Sequence, residues 1–335
     1  MFNRLVVAVF VVLLSCQTPG GGAKVVRNRG PGIWGAEGNK RIALVAEVVI
    51  GPEQYPEGFG HVLKVQSDEM GNIYVLDILN GRVLRFDSTG QFQRAIGQGT
   101  IKGPPDFHVG RSGAIYVADM GARPRQVEVF DSSGLLRNSF ASPVLPYGVR
   151  EYTEGNILVV GPERGRVFHV CDSTGNVLKS FGTQGKPIRA DVRAYMPVCI
   201  LDRNGRLCSF DENRYEITVY DTKNRVQLRT TREDVPSPRI FRNPSGIGYY
   251  KTWGSNYIDV ADNGMIVNAF HYVEDGESRA FMDFFDGNGR LLTSCDITGL
   301  GSGMMVDANR GKLFVMSREE PRRITRYGFQ MVDSE

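Results

Sequence analysis

Histidine is scarce in this 335-residue chain, with four copies, and cysteine is little commoner, with five. So few imidazoles leave little material for general-base or metal chemistry. No CxxC pair occurs, which sets aside a zinc knuckle and a thioredoxin-type redox site. GxSxG, HExxH, Walker and EF-hand patterns are missing as well, and with them the common hydrolase, zinc-protease, nucleotide and calcium signatures. Charge is nearly balanced: 40 Lys plus Arg against 37 Asp plus Glu gives +3, so there is no basic field of the kind nucleic acid requires. Beyond the N-terminus no apolar run approaches the ~20 residues of a membrane span, and the mean hydropathy is −0.23. What the chain has in excess is glycine. Forty residues, about 12% of the chain, exceed the ~7% norm without a collagen-like period and point to many tight turns.

The first residues read as an address. Arg4 precedes an unbroken apolar stretch, Leu5 to Leu14, which ends in Leu13-Leu14-Ser15-Cys16. Ten helical residues span ~15 Å, half of a ~30 Å hydrocarbon core, so the stretch suits a secretory signal better than a permanent anchor. Its end resembles the bacterial lipobox, in which the cysteine is acylated and becomes the first mature residue; that likeness implies a signal peptide over 1–15, lipid on Cys16 and contact with the membrane through it. Under the sorting rule of such lipoproteins, Gln17 in place of an aspartate implies the outer membrane of the cell envelope, with the body extracytoplasmic. The glycine-rich run from Gln17 to Lys24 forms no packed element, so residues 16–40 are expected to be the lipidated cysteine and a flexible linker. Four cysteines remain, Cys171, Cys199, Cys208 and Cys295; three pairings are open, and buried free thiols are an equal alternative.

Six times the chain repeats a glycine turn followed by a β-rich run. Gly71-Asn72-Ile73-Tyr74-Val75-Leu76-Asp77, Gly113 to Asp119 and Gly155 to Val160 are the clearest copies, and Gly205, Gly264 and Gly311 open weaker ones, at spacings of 42, 42, 50, 59 and 47. Asp-x-x-Gly turns follow the first three at Asp87, Asp131 and Asp172, and Asp221 to Asn224 and Asp286 to Gly289 continue them. Aspartate accepts the turn amides while glycine takes the positive φ. Four short strands per ~40 to 50 residues, with no helical period between them, define an all-β fold: a six-bladed β-propeller of four-stranded blades over 41–335. The last blade has three strands, while residues 41–50 form an unassigned strand before the first blade. That N-terminal strand is expected to complete the last blade and close the ring.

The pattern of Gly71 to Gly90, with its IYVLD strand, RVLRFD strand and DSTG turn, resembles the NHL repeat of six-bladed propellers, and the chain is similar to the bacterial lipoproteins of the wider TolB-like group made of one such propeller. The resemblance implies a ring-shaped platform and no single activity, because the fold hosts lyases, lactonases and binding modules.

Ligands of propellers meet the loops around the channel mouth. The long connection from Arg229 to Asn256 gathers Arg239, Arg242, Tyr249, Tyr250 and Trp253, with Tyr195, His271 and Tyr272 on neighbouring connections. Aromatics among arginines suit stacking on a sugar or peptide, although the same rings serve equally to pack the insertion. Mutually compensating charge is favoured over an anion site on this rim. His61 and His108 lie near the starts of adjacent innermost strands, and with His271 they are the sole candidates for a zinc or calcium site of the amidating-lyase type, though their positions within the repeats are not equivalent. Asp77, Asp119 and Asp211 recur with the unit, and this favours turn capping over a carboxylate ring. The reading is a binding platform for an envelope protein, peptide or glycan without a cofactor, with a metal-dependent lyase or hydrolase as the alternative.

Overall fold

A computed structural model describes residues 23–30, 32–33, 40–183, 198–202, 204–211, 215–235, 240–242, 249–251, 257–274, 277–317 and 320–333. Two strands precede the first repeat, β1 (Lys24–Asn28) and β2 (Lys40–Ile50). Blade 1 is β3 (Val62–Ser67), β4 (Ile73–Asp77), β5 (Arg82–Phe86) and β6 (Phe92–Ile96); blade 2 is β7 (Asp106–Val109), β8 (Ile115–Asp119), β9 (Gln126–Phe130) and β10 (Leu136–Ala141). Blade 3 is β11 (Gly148–Glu151), β12 (Ile157–Glu163), β13 (Arg166–Cys171) and β14 (Val177–Thr183); blade 4 is β15 (Val198–Leu201), β16 (Leu207–Asp211), β17 (Glu216–Tyr220) and β18 (Val226–Arg232). A separate hairpin, β19 (Ile240–Arg242) and β20 (Tyr249–Lys251), precedes blade 5, which is β21 (Tyr257–Val260), β22 (Ile266–Glu274), β23 (Glu277–Phe285) and β24 (Leu291–Asp296). Blade 6 is β25 (Ser302–Asp307), β26 (Lys312–Met316) and β27 (Ile324–Asp333), completed by β2. The chain is thus an all-β, six-bladed propeller.

Closure follows the expected route. β2 runs antiparallel to β27 from Lys40 opposite Asp333 to Ile50 opposite Ile324, so the first and last parts of the ring share one sheet. The expected linker needs correcting. Residues 24–28 form β1, which lies parallel to β18 as a fifth strand on the outer edge of blade 4, with Lys24 opposite Leu228 and Asn28 opposite Arg232. The β-branched Val25 and Val26 suit a strand, and Asn28 holds it in place. Its amide donates to Thr230 Oγ1 at 2.8 Å and to the Gly289 carbonyl at 3.0 Å, while its Oδ1 accepts the Leu291 N–H at 2.8 Å. Since Gly289 and Leu291 belong to blade 5, this side chain joins two blades.

The core is a ring of six apolar clusters, each between neighbouring blades, such as Val65, Ile73, Phe86, Met305 and Phe314 between blades 1 and 6. Second strands are covered on both faces, which is why β4 (IYVLD) is buried at every position and lacks alternation. The Asp-x-x-Gly turns work as read. Asp87 Oδ1 accepts the N–H groups of Thr89 and Gln91, and Asp131, Asp172 and Asp286 repeat the arrangement. Gly90 has φ +88°, and a Cβ there would lie 2.7 Å from Val48 of the neighbouring blade; Gly134 and Gly175 abut Ile96 and Phe140 in the same way. The turn glycine thus serves both its own backbone and the close approach of the previous blade. In blade 4 Asn224 takes this place at φ 62° and its Oδ1 accepts the Tyr152 hydroxyl at 2.8 Å.

Candidate functional site: the central channel

Six first strands run side by side around the axis, and their length encloses a cavity of about 960 Å³. Polar side chains reach it from five of the blades, Lys64, His108, Arg150, Asp259 and Asp307 among them, while in blade 4 the lining Asp202 turns its carboxylate to its own turn. The flanks of the same strands supply the inter-blade clusters, and on β7 and β21 polar and apolar residues accordingly alternate.

Asp106 organises one wall. Its Oδ1 accepts Lys64 Nζ at 2.6 Å, and its Oδ2 accepts Arg150 Nη1 and the Val149 N–H, the latter at 3.2 Å. Lys64 also donates to the Phe107 carbonyl at 2.8 Å, and Arg150 Nε to that of Cys199 at 3.0 Å, so the network ties the first strands of blades 1 to 4. Tyr257 of blade 5 adds a tie between blades that are not ring neighbours, donating its hydroxyl to the Leu63 carbonyl at 2.7 Å. Burial works to raise the Asp106 carboxyl, but the Arg150 and Lys64 charges outweigh it and hold the group below the usual range. Burial, with Arg150 beside it, brings Lys64 down to about 8. His108 is held well below the ordinary imidazole value by burial and by the positive charges of Arg150 and Lys64, so its ring is neutral at pH 7. Gln66 braces this strand pair, its Oε1 accepting the Val109 N–H at 3.0 Å.

The wall formed by blades 5 and 6 is acidic. Asp307 accepts the Ser67 hydroxyl and, at 3.1 Å, Arg310 Nη1. Asp259 Oδ2 accepts the Ala308 N–H at 2.7 Å, and burial, with Asp307 nearby, pushes the Asp259 carboxyl up to about 7.

The residues singled out from the sequence fall elsewhere. Arg239, Trp253 and Tyr195 lie outside the described residues, as does Cys16. The β19–β20 hairpin sets Arg242 opposite Tyr249 and Phe241 opposite Tyr250, bringing part of the proposed group into one small sheet. His271 and Tyr272, expected on a loop, belong to the extended hairpin of β22 and β23, opposite Ala280 and Arg279. Tyr272 is buried and stacks on Phe281, their centroids 5.7 Å apart, in the core between blades 4 and 5; a β-hairpin longer than its equivalents took the place of the expected loop. Two bases of the long connection are compensated: Arg232 pairs with Asp283 at 2.8 Å and with Asp234, and Arg229 with Glu216 at 3.8 Å. His61 lies beside Arg322 Nη1 at 3.3 Å while His108 faces the channel, and among the described residues no three His, Cys, Asp or Glu side chains form a metal-holding group. Asp77 and Asp119 are fully buried caps that accept backbone N–H groups, Gly60 and His61 for the first, Lys102 and Gly103 for the second. The four thiols are free, with Cys171, Cys199 and Cys208 buried.

No family model matches the chain, and no curated protein does. Solved structures do resemble it. A member of the DUF4221 family from Bacteroides vulgatus has a TM-score of 0.62 at 12% identity over 88% of this chain and 99% of its own. An auxiliary nutrient binding protein from Bacteroides thetaiotaomicron gives 0.53 at 11% over 87% and 77%. Virginiamycin B lyase from Staphylococcus aureus gives 0.51 at 9% over 86% and 99%. At such identities the likeness establishes the propeller fold and nothing of its chemistry.

Proposed function

We propose that this protein is an exported binding propeller of the NHL type, held to the outer membrane by lipid on Cys16, which takes a small polar ligand derived from an envelope protein, peptide or glycan into its central channel. The observation that carries the reading is the cavity of about 960 Å³ which all six blades line and into which polar side chains of most of them reach. That is the upper part of the size range of small-molecule sites, and the few convergent polar groups on an apolar frame are their usual composition. A solved propeller of similar fold is described as nutrient binding, which agrees with this use of the ring. Tyr249, Tyr250, Trp253, Arg239 and Arg242 form a second contact surface in this reading, suited to a larger partner on the insertion before blade 5.

Hydrogen exchange of the purified protein against small-molecule and glycan libraries tests the reading. Ligand-dependent protection is expected along residues 62–67, 106–109 and 148–151, and Ser112→Trp, which sets a large ring on an exposed turn lining the cavity, is expected to abolish it. Binding that leaves those strands unprotected and survives Ser112→Trp refutes the channel as the site. Lipidation is tested by Cys16→Ser, which is expected to move the protein from the membrane fraction to the soluble one.

A further inference from the structure

The charges of the channel are sorted by side. On the wall of blades 1 to 3, Lys64 and Arg150 share a single carboxylate, Asp106, which leaves one positive charge in excess there. Arg150 is 6% exposed, and its Nε and Nη1 are engaged by Cys199, Val149 and Asp106. Its Nη2 donates to no described residue, although the side chain lines the cavity. The idle N–H groups of a guanidinium that lines a cavity are free to meet an acceptor there, and a carboxylate matches its fork. Lys64 likewise spends its bonds on Asp106 and Phe107 and retains a third proton on the same wall.

Across the cavity the need is reversed. Asp259 receives the Ala308 N–H on Oδ2 at 2.7 Å and a second backbone N–H from Val260, and no side chain among the described residues bonds to it. Among those residues no Lys or Arg pairs with it, whereas Asp307 beside it has Arg310. Ile200 of blade 4 and Val260 and Met305 of blades 5 and 6 add apolar lining.

We propose that the channel binds a zwitterion of the short-peptide class, with its carboxylate on Arg150 and Lys64 and its amino group on Asp259. This rests on the channel being the ligand site. The volume favours a short peptide over a single amino acid, because about 960 Å³ is room for a drug-sized molecule. His108, kept neutral by burial first and by the Arg150 and Lys64 charges second, is compatible with the same arrangement. His108 then stays available as a hydrogen-bond partner that adds no charge.

The test uses the purified protein with an equimolar mixture of tripeptides Ala-X-Ala, prepared with free ends, as C-terminal amides and as N-acetyl derivatives. Native mass spectrometry and thermal shift are expected to show one free-ended peptide per chain and at least a tenfold weaker affinity for each blocked set. Asp259→Asn is expected to reproduce the loss caused by acetylation and to add nothing to it, while leaving the loss caused by amidation intact. Peptides that bind equally with free and blocked ends overturn the inference, as does an Asp259→Asn protein that binds free-ended peptides like the wild type. If no tripeptide binds while a neutral glycan protects the channel strands from exchange, the zwitterion is refuted and the channel reading stands. If peptides bind but Ser112→Trp has no effect, the channel reading fails with it.

Discussion

Replacing Asn28 by alanine tests whether the segment before the ring is structure or tether. The Asn28 amide donates to Thr230 Oγ1, the Gly289 carbonyl and the Thr231 carbonyl at 2.8, 3.0 and 3.1 Å, and its Oδ1 accepts the buried Leu291 N–H at 2.8 Å. Alanine removes all four bonds but does not orphan all four partners. Gly289 keeps the Thr230 hydroxyl at 2.6 Å, and the Thr231 carbonyl lies near enough to the surface to recruit water. The Leu291 N–H has no replacement. One buried orphan costs about 1–3 kcal/mol, and the remaining bonds add about 1 kcal/mol net, so the expected loss is ~2–4 kcal/mol. In a chain of this size that lowers Tm by ~4–8 °C. Urea denaturation followed by circular dichroism, with m compared between variants, reads the change directly. Arg27→Ala, on the same strand but with its side chain exposed, is the control and is expected to leave Tm unchanged within about 1 °C. An Asn28→Ala protein within about 0.5 kcal/mol of wild type at unchanged m refutes the docking of β1, and residues 16–40 would then behave as the flexible linker that their composition suggests.

Asp106→Asn leaves Lys64 and Arg150 facing each other without their carboxylate and is expected to cost ~3–5 kcal/mol in urea denaturation. Because the folded state lowers the Asp106 carboxyl, its contribution is complete above the unfolded value of ~3.9 and is lost as pH falls through the lower folded one, so the gap between variant and wild type should narrow only in strong acid. Asp259 has the opposite sign. Its folded value of about 7 lies above the unfolded one, so folding takes up a proton between them and wild-type stability falls as pH rises from about 4 to about 7. Asp259→Asn is therefore expected to be more stable than wild type at pH 8, by at most ~4 kcal/mol before allowance for water in the channel, with the gain vanishing near pH 4; a gain independent of pH refutes the argument. Of the four cysteines in the ring, Ellman's reagent is expected to reach no more than Cys295 in the native protein and all four after unfolding, and rapid labelling of two or more would contradict the burial of Cys171, Cys199 and Cys208.

The ring was legible in the sequence because each blade has a glycine turn before its second strand and blades 1, 2, 3 and 5 add an Asp-x-x-Gly turn, local signals that do not depend on the rest of the fold. Ring closure was legible too, since the last repeat lacks one strand and residues 41–50 offer one. β1 was hidden: five residues after a run of glycines carry no period, and their partner β18 lies some two hundred positions away. The channel residues were hidden for a different reason. Lys64 with Gln66, and Asp106 with His108, look like ordinary alternation on a strand with one wet face, and only the closed ring converts six such faces into one cavity. The polar positions just before each glycine turn were the available signal. Aromatic density drew attention instead to the long connection and to Tyr272, where the ring system packs inward because β22 and β23 extend past their equivalents.

The N-terminal chain runs along the seam between blades 4 and 5. Most neighbouring blades are joined by a short connection, but β18 ends at Arg232 and β21 begins at Tyr257, so a long insertion separates blades 4 and 5 in the sequence. Two devices span that seam. Inside, Tyr215 of blade 4 donates to Asp283 of blade 5, which also takes Arg232 at 2.8 Å, and Asn268 donates to the Tyr215 hydroxyl at 3.1 Å. Outside, β1 pairs with blade 4 and sends Asn28 to blade 5; Gly32 lies so close to blade 5 that a Cβ there would meet the Leu292 carbonyl at 2.6 Å, and β2 then enters blade 6. One stretch of chain thus touches blades 4, 5 and 6 in turn before the first repeat begins. A propeller closed by β2 alone would have one sheet to keep blades 1 and 6 together and would lack the added β1 tie across blades 4 and 5. With the strap in place the seam is held from both sides. Asp259, on the first strand of blade 5, consequently keeps its position relative to Arg150 on blade 3, as the proposed two-ended ligand would require.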